Sequence, residues 1–504
     1  DPENWSARAG LGTSLSRIGD ETAAKAELEK AFANDPFNKY VGNLLTLFDE
    51  YPKYKTHRTS HFAVRIHEND DLVLADYAIA LAGESHAAID SKYPVRNAAP
   101  FILEIFPEHD DFAVRCFGLP GAQAFLGICF GNVVAMDSPR ARSKGDFVWG
   151  ETLWHELVHV SHLRLTENRI PRWLAEGIAV YETSTAKPFW QMNLDVPLIQ
   201  ALSNNRLLAL KDLDAGFNRP TNPGQISLSY FQASLVVEFL AKKYGHEKLL
   251  ATFPHFRSGM ETEQIFKTVY GKDLSALNDE FHGYLKEKYR FDTVDYSFDH
   301  RETDPKRLSE TLQEKPSNPF LNYRLGVYYK ESGDFDKAIP LLQKARDLFP
   351  NFVMQENPYQ TLAEIYIKEG QKQLAIKELT ELTSRNGKEL EPLHLLADLC
   401  LETKNYAGAI EALQKVIYIT PFESEVHKKL AAVYLAQKQY DAAIQELKML
   451  LVTGPADLAG THCDLAGAYL QSGKKSEAKK SALQALEIAP NYERAQQILL
   501  ACLE

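Results

Sequence analysis

Between about residue 319 and residue 490 the chain repeats itself with a period near 34, which constrains its fold more than any other feature. Leu325-Gly326, Tyr329, Gly333, Ala338, Leu342, Ala345 and Pro350 recur as Leu465-Ala466, Tyr469, Gly473, Ala478, Ala482, Ala485 and Pro490. Three weaker copies lie between them, marked by Leu362, Tyr366, Gly370 and Ala375, by Leu396-Ala397, Ala409 and Pro421, and by Leu430-Ala431, Tyr434, Ala443 and Pro455. A unit of this length holds two helices and cannot bury its apolar face alone, so successive units must stack into a solenoid. Small residues at fixed offsets let the paired helices approach, and Pro falls where its missing N–H costs least. The pattern predicts five units, closed by a helix over Tyr492 to Leu503. Residues 5 to 38 carry the same landmarks: Leu11-Gly12, Leu15, Gly19, Ala24, Leu28, Ala31 and Pro36.

These segments closely resemble tetratricopeptide repeats. The resemblance implies an extended concave surface suited to a protein or peptide partner. Bracing of the rest of the chain, or self-association, is the plainer role for the same helices. The expected layout is tetratricopeptide-like helices over 1–50, a separate domain over 51–300, and a repeat array over 301–504.

The central domain breaks the period and alternates strand and helix signals, an α+β pattern. His61 to His67 alternates like a strand, Asp71 to Tyr93 has helical spacing, and Phe101 to Phe106 and Phe125 to Met136 read as further strands. From Leu174 onward helices dominate, through Ser229 to Tyr244 and Leu274 to Tyr289, before a polar stretch from Asp292 to Pro305.

A formal net charge of -12 gives no basic footprint, which argues against nucleic acid as a partner. No run of eighteen apolar residues occurs, so no membrane insertion is expected. The chain starts at Asp1 rather than Met, and a periplasmic or otherwise exported setting is favoured over a cytoplasmic one on that account. Five Cys without Cys-x-x-Cys spacing read as free thiols rather than a disulfide framework or a thiolate metal site. Cys116 and Cys129 flank a Gly-Leu-Pro-Gly turn and could alternatively face each other across a strand pair.

The chemistry-bearing segment is His155-Glu156-Leu157-Val158-His159. On a helix, positions i and i+4 share a face, so both imidazoles can reach one ion while Glu156 sits beside it. The segment Pro171-Arg172-Trp173-Leu174-Ala175-Glu176-Gly177-Ile178-Ala179-Val180-Tyr181-Glu182 begins with Pro at a favourable helix start and brings a third carboxylate ligand, Glu176. Together these residues resemble the gluzincin zinc metallopeptidases, thermolysin-like and aminopeptidase N-like, whose third ligand lies in Trp-x-x-Glu-Gly-x-Ala-x-Tyr. Trp173, Glu176, Gly177, Ala179 and Tyr181 match that pattern. The nearest relatives by layout are compact peptidase MA-like domains joined to tetratricopeptide arrays.

The resemblance implies a thermolysin-like fold, a small mixed sheet plus helices, and one Zn2+ per chain held by His155, His159 and Glu176. It also implies water activated by Glu156 as general base, acting on a polypeptide substrate. It suggests Tyr230 as oxyanion donor, with Tyr181 a lesser candidate; among twenty-three Tyr, a packing role stands beside the catalytic one. Gly127 to Met136 would be the edge strand along which substrate pairs, or an ordinary sheet strand.

Two departures matter. Sixteen residues separate His159 from Glu176, so the connection from Ser161 to Ile170 must be short. The Gly-x-Met-Glu-Asn segment by which aminopeptidases grip a free amine is missing, residues 131 to 137 reading Gly-Asn-Val-Val-Ala-Met-Asp, which favours internal bonds over chain ends. His162 reads as a partly exposed helix-end residue rather than a ligand, because the metzincin Gly and third His are absent. Glu182 reads as solvated, with a supporting contact to a ligand histidine as the alternative, and Glu151 as complementing the helix dipole. A scaffold with an inactive peptidase-like domain remains the reading from another class, with a non-peptide amide substrate or aminopeptidase action also open.

Overall fold

The computed structural model describes residues 4–95, 99–297 and 302–503, so Asp1 and residues 298 to 301 of the polar stretch lie outside the described residues. The chain opens with three helices, α1 (Trp5–Ile18), α2 (Glu21–Asn34) and α3 (Lys39–Glu50). The first two pack against each other. A methyl group on Gly12 would lie 2.6 Å from Leu28 Cγ, so only Gly permits their approach.

A five-stranded mixed sheet follows, formed by β1 (Tyr54–Arg58), β2 (Phe62–His67), β3 (Phe101–Phe106), β4 (Gly127–Cys129) and β5 (Val133–Asp137). Its order is β1-β2-β3-β5-β4, with β2-β3 and β3-β5 parallel and both outer pairs antiparallel. The expected continuous strand from Gly127 to Met136 is therefore a hairpin: Gly131, at φ 92°, turns the chain, so that only three residues form the edge while β5 lies inside the sheet.

Helices α4 (Glu68–Lys92) and α5 (His109–Phe117) connect the strands on opposite faces of the sheet. Leu103, Ile105, Val134 and Met136 face the core shared with α4, whereas Phe106 and Ala135 face α3 and α5. Alternation along each strand thus buries both faces. Under the N-terminal helices the fully buried Glu104 pairs with Arg65 at 2.6 Å and Arg115 at 2.7 Å, which removes the cost of an isolated buried carboxylate. Helix α4 is long and apolar enough to cross a membrane by length and composition, yet its Leu74, Ala78, Leu81 and Ala82 are core residues here. All five cysteines are free, with Cys116 on α5, which rules out the strand-pair bridge.

Next come α6 (Trp149–Thr166) and α7 (Arg172–Ala186), the short α8 (Val196–Ser203) and α9 (Leu213–Asn218), and the long α10 (Pro223–Tyr244). Four further helices complete the domain: α11 (His246–Ala251), α12 (Phe253–Arg257), α13 (Thr262–Tyr270) and α14 (Leu274–Lys288). The stretch after α14 is polar in composition, but Val294 and Tyr296 are buried, Tyr296 packing edge-on against Phe349 of the array.

After α15 (Pro305–Glu314), five antiparallel pairs stack: α16–α17 (Pro319–Glu331, Phe335–Leu348), α18–α19 (Pro358–Lys368, Lys372–Arg385), α20–α21 (Leu390–Glu402, Tyr406–Ile417), α22–α23 (Ser424–Ala436, Tyr440–Thr453) and α24–α25 (Leu458–Gln471, Lys475–Ile488). The closing helix α26 runs Glu493–Ala501. Side-chain caps start many of these helices: Asp334 accepts from the Lys337 N–H and Asn357 from the Gln360 N–H. Gly326 is required by Leu342, whose Cγ would lie 2.8 Å from an added methyl.

The array is not a free appendage. Its turns between the second helix of one unit and the first of the next, together with helix α23, dock on the central domain. Trp149 Nε1 donates to Ile417 O at 2.8 Å, the Gly387 N–H to Phe189 O at 2.9 Å, and Gln191 Nε2 to Arg385 O at 2.9 Å. Lys144 pairs with Glu423 at 2.8 Å, and Tyr77 of α4 donates to Glu446 at 3.2 Å.

Candidate metal centre

Helix α6 places His155 and His159 one turn apart on the face turned toward β4 and α7. It runs to Thr166, further than expected, and the chain then reverses over 167–171, with Glu167 at φ 50° and Asn168 at φ 60°. The Asn168 N–H donates back to Leu163 O at 2.9 Å. This tight reversal brings α7 alongside α6 and accommodates the short spacing before Glu176.

Three candidate ligand atoms converge. His155 Nε2 lies 3.3 Å from Glu176 Oε2, His159 Nε2 lies 3.4 Å from the same oxygen, and the two Nε2 atoms are 3.2 Å apart. A tetrahedral centre with bonds of about 2.0–2.1 Å has ligand-to-ligand edges of roughly 3.3 Å, so the three atoms have the spacing of one face of such a site. The donor set, two imidazoles and one carboxylate, suits a small divalent cation and leaves its fourth position to water or substrate. Burial by itself raises the Glu176 carboxyl, yet hydrogen bonding to both histidines holds it well below the usual carboxylate range.

Glu156 is buried on α6 beside the triad, and burial, opposed in part by His155, pushes its carboxyl up to about 7. Its position depends on the edge strand. A methyl on Gly127 would lie 2.7 Å from Glu156 Cγ and 3.0 Å from Oε1, so the absent side chain on β4 is the space the carboxylate occupies.

Tyr230 lines the cleft with His155, Glu156 and Glu176. It reaches there because α7 and α10 touch closely at Gly177, where a methyl would lie 2.7 Å from Ala233 O. Burial, then the Glu176 charge, push its phenol upward, and its ring stands edge-on to Phe217 at 5.0 Å. Arg172 also lines this cleft, its Nε 3.6 Å from Glu176 Oε1, and its i,i+4 spacing to Glu176 is the one sign of this in the sequence. Tyr181 does not line the cleft; it packs half-buried against the core.

Two expectations are corrected. His162 is completely buried, not partly exposed, and its Nε2 lies 2.8 Å from His159 Nδ1. A metal held by His159 Nε2 would leave the ring proton on Nδ1, which would then donate to His162 and fix the tautomer. Burial, then the neighbouring His159, push the His162 imidazole well below its ordinary value and keep it neutral, able to accept. Glu182 is neither solvated nor near a ligand histidine: it is buried, accepts from Tyr93 Oη at 2.8 Å and pairs with Lys92. Glu151, in the first turn of α6, pairs with Lys388 of the repeat array at 2.6 Å. No local pattern announces that contact.

Residues 142–287 match the model of the Peptidase MA superfamily, and residues 329–399, 401–462 and 459–492 match tetratricopeptide repeat models. No curated protein matches the chain. Among solved structures, YrrB, described as a TPR protein with an unusual peptide-binding site, is 12% identical, with 38% of this chain and 98% of that chain covered and a TM-score of 0.29. MamA is 25% identical over 34% of this chain and 90% of that one, with a TM-score of 0.27. TTC0263, a thermophilic TPR protein of Thermus thermophilus, is 22% identical over 37% of this chain and 98% of that one, with a TM-score of 0.21.

Proposed function

We propose that the chain is a zinc-dependent endopeptidase of the gluzincin type, with a thermolysin-like catalytic region, His155, His159 and Glu176 as metal ligands and Glu156 as general base. The observation that carries this reading is the convergence of three ligand atoms at 3.2–3.4 Å from one another, with a buried carboxylate beside them. A bound zinc ion supplies a Lewis acid that polarises the scissile carbonyl and acidifies water.

The chain's own residues do the rest. The Glu156 carboxylate takes the proton of the attacking water and delivers it to the departing amine nitrogen. The Tyr230 hydroxyl donates to the oxygen that gains charge as the carbonyl carbon becomes tetrahedral. Substrate backbone pairs along β4, whose outer edge is free of strand partners among the described residues. The cleft continues past His155 and Glu156 in both directions, toward Val148 and Glu151 on one side and Leu163 and Ile170 on the other, which suits an internal segment of polypeptide better than a chain end.

The purified protein is expected to hold close to one zinc per chain after dialysis, to lose it to a chelator, and to cleave an unfolded protein only when loaded. Glu176→Ala should not retain the metal. A wild-type chain without zinc sinks the proposal; a zinc-loaded chain that cleaves nothing points to a metal-bearing scaffold instead.

His162 supports the centre through His159. Its replacement by Phe keeps the buried ring but removes the acceptor, so zinc affinity should fall about 10- to 100-fold in competition with a chromogenic chelator. An unchanged affinity would remove His162 from the site.

A further inference from the structure

The cleft widens at the start of α6 into a cavity of about 610 Å³, and one of its walls comes from the repeat array. Leu126, Val148, Val180 and Met192 give it apolar sides, next to His155 and Glu156. Lys388 and Glu389, from the turn between α19 and α20, close it opposite Glu151. That turn is held firmly: the Gly387 N–H donates to Phe189 O, Gln191 reaches Arg385 O, and the buried Asn386 donates to Val353 O at 2.8 Å. Its position is therefore set by the fold and not by the substrate.

One pair of opposite charges in the wall cancels. Lys388 Nζ meets Glu151 Oε1 at 2.6 Å, the two side chains being only 19% and 27% exposed. Asp146 and Glu389 are exposed and stand at the mouth. A cavity with apolar sides, a neutralised pair in its wall and carboxylates at its rim accepts a large apolar side chain and disfavours an acidic one. Without the Lys388 ammonium, Glu151 would face the same space as an uncompensated carboxylate and attract a cation.

We propose that this cavity binds a large apolar side chain of the polypeptide next to the scissile bond, and that Lys388 of the repeat array determines this preference by neutralising Glu151. The inference rests on the peptidase reading for the substrate class. On it, the repeats act on selectivity inside the cleft, through a residue 233 positions from the metal ligand His155.

The test uses the full chain carrying Glu156→Gln, so that peptides bind without being cut. Blocked pentapeptides Gly-Gly-Xaa-Gly-Gly, with leucine, lysine or glutamate at the centre, are titrated by NMR. The leucine peptide should bind about tenfold more tightly than the lysine peptide, and the glutamate peptide most weakly. K388M should shift the leucine-to-lysine ratio by about tenfold toward lysine, K388R should leave it unchanged, and E151Q/K388M should restore it. A ratio that is the same in K388M, or the absence of binding by every peptide, overturns the proposal. Zinc content measured on the same samples separates the two ideas: its absence strikes the peptidase reading, while the peptide ratios still report on the cavity.

Discussion

Replacing Glu156 by Gln is expected to lower kcat by about 100- to 10,000-fold while leaving zinc content unchanged. Gln has nearly the shape of Glu, so it fits the space that Gly127 leaves on β4 without disturbing the three ligand atoms. What it lacks is the basic oxygen. The carboxylate lies buried within the cleft, beside His155 and Glu176. Of the other carboxylates lining the cleft, Glu176 faces the histidines, Glu151 is paired with Lys388, and Asp146 and Glu389 stand exposed at the mouth. Turnover measured beside metal analysis and thermal unfolding separates loss of the base from loss of the site. A Gln variant with wild-type turnover would remove Glu156 from the mechanism.

The convergence of His155, His159 and Glu176 could be read from the chain because it depends on local geometry: i,i+4 spacing on one helix, and a second helix whose start is marked by Pro171. The repeats were legible for the same reason, each unit being a local pair whose small residues meet within the pair, as Gly326 meets Leu342. What failed depended on contacts distant in sequence. Nothing near His162 signals that helix packing leaves it no exposure, and Glu182 looks like a surface position until Tyr93 is placed against it. The division of Gly127 to Met136 into a hairpin had a local signal in Gly131-Asn132, which strand-like flanks obscured. Strand β1 and helix α5 are short and were not anticipated. Lys388 lies 237 residues from Glu151, beyond the reach of any pattern.

Removing residues 301–504 is expected to abolish cooperative folding of the central domain, not only whatever the repeats bind. Helix α6 begins at Trp149 with no side-chain cap, and the array supplies acceptors at its start, the Gly150 N–H donating to Tyr418 O at 3.3 Å and Trp149 Nε1 to Ile417 O. The Tyr418 ring packs so closely on this turn that a methyl on Gly150 would lie 2.8 Å from its Cδ1, and it stands edge-on to Trp190 at 5.2 Å. Without the array, Trp149 and Trp190 lose this cover, at roughly 25 cal/mol for each Å² of apolar surface exposed. Val294 and Tyr296 lose their cover as well, Tyr296 its partners Phe349 and Phe320. These losses fall on the helix that carries His155, Glu156 and His159 and on the core around it, so zinc binding should fail together with the fold. Thermal unfolding and zinc analysis of the shortened chain check this. A truncated protein that unfolds cooperatively near the full-length temperature and keeps its metal would show the array to be dispensable to the catalytic region, and would leave only the wall of the specificity cavity as its contribution.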